Sequence, residues 1–463
     1  MKKFYLTTPI YYANDNPHIG HIGTTIFADI IARYNRLKEN DVLFLTGLDE
    51  HGEKVYLASK KEDKEPQQFV DELAQKWQDY WQKLNISHDI FMRTTLPEHK
   101  EIVAKLLNQI KENGDIYKAT YTGVYCVGCE EFKSERDLVD GHCPEHRSDQ
   151  ISTKEEENYF FKLTKYIPTI KKYILDGTLP LEPESKKKEI LARLDGEIHD
   201  LSISRQNVPW GIKLPWDEQQ TVYVWVEALM NYYTATKIFK KDDFWPADLH
   251  FLGKGNNWFH SVIWPALLLS LELPLPKKIF VHGYYNVEGK KVGKSLGNAV
   301  TVDDLLEKYG TDGTRYLLAV SMPYNSDSEV DFAWFNEKYN SDLANGLGNL
   351  IARVAKLCEN NNISGVTRNL AIAKNLGTLI EEYKLNEALS YIWSEITEAD
   401  KKINETKPWE LDQEKAKPIL EDLVLKIQQI AFNLKPFLPE TAEKIMKQFS
   451  GEIKSAPPLF PRI

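Results

Sequence analysis

The chain has 463 residues, about three domains' worth at the usual ~150 residues each, so one small core is excluded. With 42% hydrophobic and 11% aromatic residues it can fill real cores, which rules out disordered and collagen-like classes. Lys and Arg number 58 against 68 Asp and Glu; the net charge of −10 argues against non-specific DNA coating, although a nucleic-acid partner needs only a local basic surface.

Lys2 and Lys3 precede an apolar stretch broken by Thr7, Thr8, Pro9 and Asn14, so no secretory leader is expected. Phe4-Tyr5-Leu6 reads as a short strand, followed by a loop carrying Pro9, Asn14, Asp15, Asn16 and Pro17. From Ile19 the pattern turns helical, with Ile22, Ile26, Ile30 and Tyr34 on one face. Val42-Leu43-Phe44-Leu45 reads as a buried strand closed by Gly47. A strand–helix–strand unit of this kind predicts a parallel sheet, with ligands beyond the carboxyl ends of its strands, at Thr8 to His21 and Gly47 to Gly52.

The next stretch holds three of the four cysteines. Four cysteines cannot staple a secreted scaffold, and the clustering of Cys126, Cys129 and Cys143 points to metal ligation in a reducing compartment. With His146 they form C-x2-C-x13-C-x2-H, a spacing that fits a closed tetrahedral zinc site of three thiolates and one imidazole. His142 is a rival fourth ligand, with poorer geometry because it adjoins Cys143. Lys186-Lys187-Lys188 reads as a solvated helix face rather than a site.

A second strand set follows. His250-Phe251-Leu252 ends in Gly253, a helix carries Phe259, Val262 and Ile263, and Ile279-Phe280-Val281 ends in Gly283. This predicts the other half of one sheet. The run VIWPALLLSLELPLP is interrupted by Pro265, Ser270, Glu272 and Pro274, so no membrane span is expected and the chain reads as soluble and cytoplasmic. Beyond about residue 335, Leu343, Leu347, Leu350, Val354 and Leu357 keep helical spacing, as do Leu420, Leu423, Val424, Ile427 and Ala431. A helical bundle is expected there, with Cys358 in its core.

Two segments carry chemistry. Pro17-His18-Ile19-Gly20-His21 sets two imidazoles at a helix N-terminus, where backbone N–H groups and the helix dipole favour phosphate. The imidazoles add donors that follow charge developing on a phosphoryl group, and Gly20 leaves room for a flat base. Read alone, such a pair is more often a helix cap at the surface. Lys290-Lys291-Val292-Gly293-Lys294-Ser295-Leu296-Gly297-Asn298 is a Gly-bounded loop whose lysines can close over a polyphosphate; alone it is an ordinary basic loop.

Together, in their order, separation and placement after strands of the two sheet halves, these segments resemble the HIGH and KMSKS signatures of class I aminoacyl-tRNA synthetases. The resemblance implies that an amino acid is condensed with ATP to an aminoacyl-adenylate and then passed to a tRNA 3′ end. Thr8-Pro9-Ile10-Tyr11-Tyr12-Ala13-Asn14, Leu45-Thr46-Gly47-Leu48-Asp49-Glu50-His51-Gly52, Tyr223-Val224-Trp225-Val226-Glu227-Ala228, Asp200-Leu201-Ser202-Ile203-Ser204-Arg205 and Lys407-Pro408-Trp409 are similar to the methionyl branch of that family, and the likeness runs from Phe4 to Ile463.

By motif, the resemblance implies a methionine pocket of Ile10, Tyr12, Trp225, Ala228, Leu229, Tyr232 and His260, with Asp49 holding the substrate ammonium. A soft thioether suits such aromatic surroundings. Trp225 and Tyr232 would read as core aromatics without these flanking motifs. His18, His21, Lys291 and Lys294 are the implied catalytic residues; Gly20, Lys254, Lys294 and Ser295 are the implied ATP contacts, with Mg2+ on the phosphates. Arg205 is implied at the reacting carboxylate or pyrophosphate. The zinc knuckle would be structural, because a closed shell offers no open position.

In the helical tail, Asn349, Arg353 and Trp409 match the family's anticodon-reading residues, and stacking on Trp409 is how a splayed base is held. Read alone, Trp409 is a helix-start aromatic after Pro408. The implied partners are methionine, ATP and tRNA(Met), elongator and initiator, and a monomer is expected. The stretch between the sheet halves looks too short for the hydrolytic editing insert of leucyl, isoleucyl and valyl relatives, which favours methionine or cysteine.

The expected architecture is α/β: a Rossmann-type parallel sheet over 1–116 and 222–288, split by a connective insert with the zinc knuckle over 117–221, a loop and stem-contact region over 289–335, and a helical anticodon-binding domain over 336–463. Three positions depart from the family pattern. Gly293 stands where Ser is usual, Gly255 where an acidic residue is usual, and Asn256 where an aliphatic residue walls the pocket. Another class I specificity, most plausibly cysteine, or a catalytically silent tRNA-binding protein are the competing readings.

Overall fold

The computed structural model describes residues 1–126, 131–133, 138, 141–143, 151–206, 208–287, 290–291, 300–366 and 369–463. The first half of the sheet is laid down by β1 (Lys3–Thr7), β2 (Tyr11–Tyr12), α1 (Ile19–Leu37), β3 (Asp41–Asp49), α2 (Glu53–Lys61), α3 (Pro66–Lys83), β4 (Ile90–Arg93) and α4 (Pro97–Glu112). The insert follows with β5 (Ile116–Cys126), β6 (Glu131–Lys133), β7 (Ile151–Phe161), α5 (Leu163–Asp176), β8 (Leu181–Glu182), α6 (Glu184–Leu194), β9 (Leu201–Ser202), β10 (Ser204–Arg205), β11 (Lys213–Leu214) and β12 (Asp217–Val222). The second half comprises α7 (Val224–Leu229), α8 (Asn231–Ile238), β13 (Leu249–Gly253), a π-helical turn (Phe259–Ile263), α9 (Trp264–Ser270), β14 (Ile279–His282), β15 (Tyr285–Val287) and β16 (Lys290–Lys291).

One parallel sheet unites the halves. β4 pairs with β3, β3 with β1, β1 with β13, β13 with β14, and β14 with β8. This is the doubly wound arrangement: the chain starts at β1, winds outward to β3 and β4, then returns to the other side of β1 as β13. Such a sheet opens a crevice at the carboxyl ends of β1 and β13, where the direction of winding reverses. Leu6 lies opposite Leu249 and Thr7 opposite His250 at that switch point.

The expected first helix is observed, with Ile22, Ile26, Ile30 and Tyr34 buried. The strand from Val42 differs from the expectation in one respect. It does not close at Gly47 but runs through it to Asp49. A Cβ at Gly47 would collide with the Met92 carbonyl of β4, so the glycine is required by the close approach of the neighbouring backbone. The insert is built on an antiparallel sheet in which β5 pairs with β6 and β7, and β7 with β9.

Beyond β16, α10 (Val302–Val320) leads into helices: α11 (Phe332–Lys338), a π-helical segment (Tyr339–Gly348), α12 (Asn349–Asn360), α13 (Lys374–Glu381), α14 (Leu385–Thr406), α15 (Gln413–Leu434) and α16 (Pro439–Gln448). Their apolar stripes, Cys358 included, are buried together. Among the described residues short strands interrupt the helices there: Ser328–Glu329 pairs with β15, and Ser364–Gly365 with Gly451–Glu452. No helix among the described residues is long and apolar enough to cross a membrane.

One buried ion pair ties the sheet domain to the tail. Arg315 of α10 reaches Asp29 of α1 at 2.7 Å, and both side chains are shut off from solvent. The same guanidinium donates to the carbonyls of Phe437 (2.9 Å), Pro436 (3.1 Å) and Leu84 (3.2 Å). Burial alone would raise the Asp29 carboxyl, but Arg315, Arg33 and the Ser87 hydroxyl hold it below its ordinary range. Its stabilising contribution is therefore present at neutral pH and lost as pH falls through that lowered pKa. Arg315→Met, which leaves the buried Asp29 carboxylate to Arg33 and Ser87 alone and strips the Leu84, Pro436 and Phe437 carbonyls of their donor, should lower the unfolding free energy by about 3–5 kcal/mol. Urea denaturation measures this, and an unchanged midpoint would show that the pair is energetically idle.

Candidate active site

The crevice at the switch point is walled by the loop and helix after β1 and by the turn after β13. At the N-terminus of α1, His18 is the cap residue: its Nδ1 accepts from the Gly20 N–H at 3.1 Å, and His21 Nδ1 lies 3.4 Å from the His18 N–H. The two rings stack, centroids 3.7 Å apart. Because both Nδ1 atoms accept backbone N–H groups, each neutral ring carries its proton on Nε2 as a donor. Trp77 of α3 backs His21 and stacks on Tyr11, while its indole N–H donates to the Asp15 carbonyl at 2.9 Å.

Thr301, three residues beyond the basic segment, reaches the same place. His18 forms a backbone bridge with Thr301, which caps α10 and closes the segment that leaves β16. Gly293, Lys294 and Ser295 lie outside the described residues, and Lys291 is described by its backbone in β16, which pairs with β15. The sequence signal that could have marked Thr301 is its Thr-x-x-Asp spacing to Asp304, which forms a capping box.

The residues expected to bind the amino acid surround the ends of β3 and β13. Asp49 ends β3, buried and opposite Tyr12 of β2, and its carbonyl accepts from the Ala13 N–H at 2.8 Å. The half-buried Tyr12 ring meets Trp225 edge-on at 5.8 Å, and Trp225 stacks on Phe259 at 3.9 Å. Ile10 packs on the same apolar cluster, in which Leu229 is buried; Ala228 is buried beside it on α7.

Tyr232 and His260 form a fixed pair at the base of this wall. The Asn256 carbonyl accepts from His260 Nδ1–H at 2.9 Å, which leaves Nε2 as the acceptor for the Tyr232 hydroxyl at 2.6 Å. Burial pushes His260 down to about 4, so the ring is neutral at physiological pH. His250 is neutral for the same reason: Trp264 N–H donates to its Nε2 at 3.3 Å, so its Nδ1–H faces Thr7 Oγ1 at 2.7 Å. His282, lowered to about 4 by burial, joins Thr24 of α1 at 2.9 Å to the end of β14.

The departures have physical counterparts. A Cβ at Gly255 would collide with the Tyr284 hydroxyl, so a tyrosine oxygen fills the space that a side chain there would need. Lys254 lies over the Tyr284 ring at 4.5 Å and pairs with Asp327 at 2.7 Å. Asn256 contributes its backbone carbonyl to His260. Arg205 is buried against Tyr223, and its Nη1 donates to the Ser202 and Ser204 carbonyls.

Of the expected zinc ligands, Cys126 and Cys143 are described and buried; Cys129 and His146 lie outside the described residues. Among the described residues no group of three or more His, Cys, Asp or Glu side chains is set to hold a metal. In the tail, Asn349 and Arg353 share a face of α12. Arg353 bonds to Asp400 at 2.6 Å and Asn404 at 2.8 Å and lies 5.9 Å from the Trp409 ring, which is 50% exposed. Half-exposure separates Trp409 from an ordinary core aromatic. Sequence reasoning missed Thr301, His250, His282 and Tyr284 as builders of the crevice.

A family model described as tRNA synthetases class I (M) matches residues 4–153 and 148–355. A methionine--tRNA ligase of Thermotoga maritima is 40% identical over 98% of this chain and 76% of its own length. That of Clostridium acetobutylicum is 42% identical over 98% of this chain and 74% of its own. Among solved structures, Mycobacterium tuberculosis methionyl-tRNA synthetase in complex with methionyl-adenylate superposes with a TM-score of 0.92 at 33% identity, covering 100% of both chains. With a parallel sheet of this winding, a histidine-capped α1 and relatives of this likeness over nearly its whole length, the chain belongs to the methionyl family of class I tRNA synthetases.

Proposed function

We infer that the chain is a methionine–tRNA ligase: it activates methionine with ATP to methionyl-adenylate and transfers the methionyl group to the 3′ end of tRNA(Met). The observation that carries this reading is the backbone bridge between His18 and Thr301, which sets a residue three positions beyond the lysine-bearing segment against the histidine-capped helix at the switch point. The competing reading of a silent tRNA-binding protein is the weaker one, because His18 and His21 stack at the N-terminus of α1 and Asp49 ends β3.

In the first step a methionine carboxylate oxygen attacks the ATP α-phosphorus in line, the bond to the bridging oxygen breaks, and pyrophosphate leaves. The Nε2–H donors of His18 and His21, with Lys291 and Lys294, meet the charge that spreads over the phosphates. Gly20 lets the base lie against the backbone, and Ser295 and Lys254 complete the ATP contacts. Mg2+ bound through the phosphates would add charge neutralisation. No side chain becomes covalent; positioning and electrostatics supply the acceleration. In the second step a ribose hydroxyl of the terminal adenosine takes the acyl group and AMP departs.

The buried Asp49 carboxylate takes the methionine ammonium. Ile10, Tyr12, Trp225, Ala228, Leu229 and Tyr232 take the side chain. Because the Tyr232 proton is committed to His260, the thioether is read by fit and by sulfur–aromatic contact, not by a hydroxyl donor. Tyr232→Phe should raise KM for methionine by about tenfold, since it leaves the buried His260 Nε2 without its donor, and should leave KM for ATP unchanged. ATP–pyrophosphate exchange measures both.

Two buried thiols, Cys126 and Cys143, suit thiolate ligation, and with Cys129 and His146 they would hold one structural Zn2+. Purified protein should carry a single zinc per chain by atomic emission, lost in Cys126→Ser; zinc-free wild type would remove the site. In the tail, Asn349, Arg353 and Trp409 form the anticodon surface for elongator and initiator tRNA(Met). We place the working protein in the cytoplasm as a monomer. Lys294→Ala should cut exchange by orders of magnitude with the fold intact, and a panel of twenty amino acids should single out methionine. Unchanged exchange in the variant, or preference for cysteine, would overturn the assignment.

A further inference from the structure

The end of β3 and the helices of the second half meet through a buried cluster that the scheme above leaves unused. Glu227 of α7 accepts from His51 Nδ1 at 2.7 Å through Oε1 and from His99 Nε2 at 3.0 Å through Oε2. His99 belongs to α4, and its Nδ1 is 2.7 Å from Thr234 Oγ1 of α8. All three ionisable side chains are excluded from solvent. Burial would raise the Glu227 carboxyl, yet the two imidazoles hold it below its ordinary range, so it is a carboxylate gripped by two ring N–H donors.

The cluster's members are neighbours in sequence of residues assigned to the pocket. His51 follows Asp49 by two positions, Glu227 stands between Trp225 and Ala228, and Thr234 follows Tyr232 by two. The Asp49 segment is held from its other flank as well. The Glu50 carboxylate accepts from Arg93 Nε at 2.6 Å and from the Thr95 hydroxyl, and its backbone carbonyl accepts from Trp210 Nε1 at 2.6 Å. Apolar contact alone is non-directional and would not by itself select one orientation of α7 at the end of β3. A two-donor grip on one carboxylate has a single geometry.

We propose that the His51–Glu227–His99 cluster is a positioning device for amino-acid recognition, fixing the separation between the Asp49 carboxylate and the aromatic wall carried by α7 and α8. It rests on the pocket assigned above. The ammonium and the side chain of the substrate are then read together at a set spacing, and loosening the cluster costs amino-acid binding. The nucleotide is held by other elements, α1 and the turn after β13, so its binding stays as it is.

Glu227→Gln keeps the size but turns an amide NH2 toward an imidazole N–H. In ATP–pyrophosphate exchange, KM for methionine should rise about tenfold or more, with KM for ATP within about twofold. His99→Gln, whose amide can still donate to Oε2, should stay near wild type, whereas His99→Leu should follow Glu227→Gln. Should Glu227→Gln fail to fold, the His99 pair decides alone. Equal rises in both KM values, or a His99→Leu enzyme with the wild-type KM for methionine, would overturn the proposal while leaving the pocket assignment standing. A wild type that does not activate methionine would overturn both.

Discussion

The parallel pairing of β1 with β13 is the constraint on which everything else rests. Leu6 against Leu249 and Thr7 against His250 bring together strands that the insert separates in sequence, and only that pairing creates a switch point. Once it forms, the N-terminus of α1 and the turn after β13 share one crevice, and Thr301 at the head of α10 reaches the first of them. The backbone bridge from His18 to Thr301 is the local expression of that geometry. The helix dipole and the imidazole donors then act on whatever anion enters.

Electrostatics around the crevice are arranged by burial. His250, His260 and His282 are kept neutral, each with a partner that selects its tautomer, so they shape the site without adding charge to it. Charge is buried where it binds elements together: Asp29 to Arg315 between α1 and the helical tail, and Glu227 to His51 and His99 between the two sheet halves. Asp29 and Glu227 each have at least two donors, which offsets the cost of burying the anion. His18 and His21, half-buried at the N-terminus of α1, are the histidines assigned to phosphate.

Much of this was legible in the residues. Periodicity marked α1, and apolar runs ending in glycine marked both halves of the sheet, because those elements bury one face or both and so carry a pattern. Gly47 misled, because a glycine that admits a neighbouring carbonyl reads the same as one that ends a strand. The buried polar contacts were not legible. His51 and Glu227 are 176 positions apart, and no local rule pairs them. The one clue was an acidic residue inside the apolar run from Tyr223 to Met230, which must find a partner or stay uncharged. Arg315 carried no such clue, because it stands between Thr314 and the apolar run Tyr316 to Val320 rather than inside one.

The central claim is that two distant segments act on one nucleotide, and the most direct measurement is a crystal structure with a non-hydrolysable ATP analogue and methionine bound. The account predicts the triphosphate in the crevice between β1 and β13, with His21 Nε2 and Lys294 Nζ both within about 3 Å of phosphate oxygens. A triphosphate touched by only one of the two, or seated away from the carboxyl ends of those strands, would contradict it.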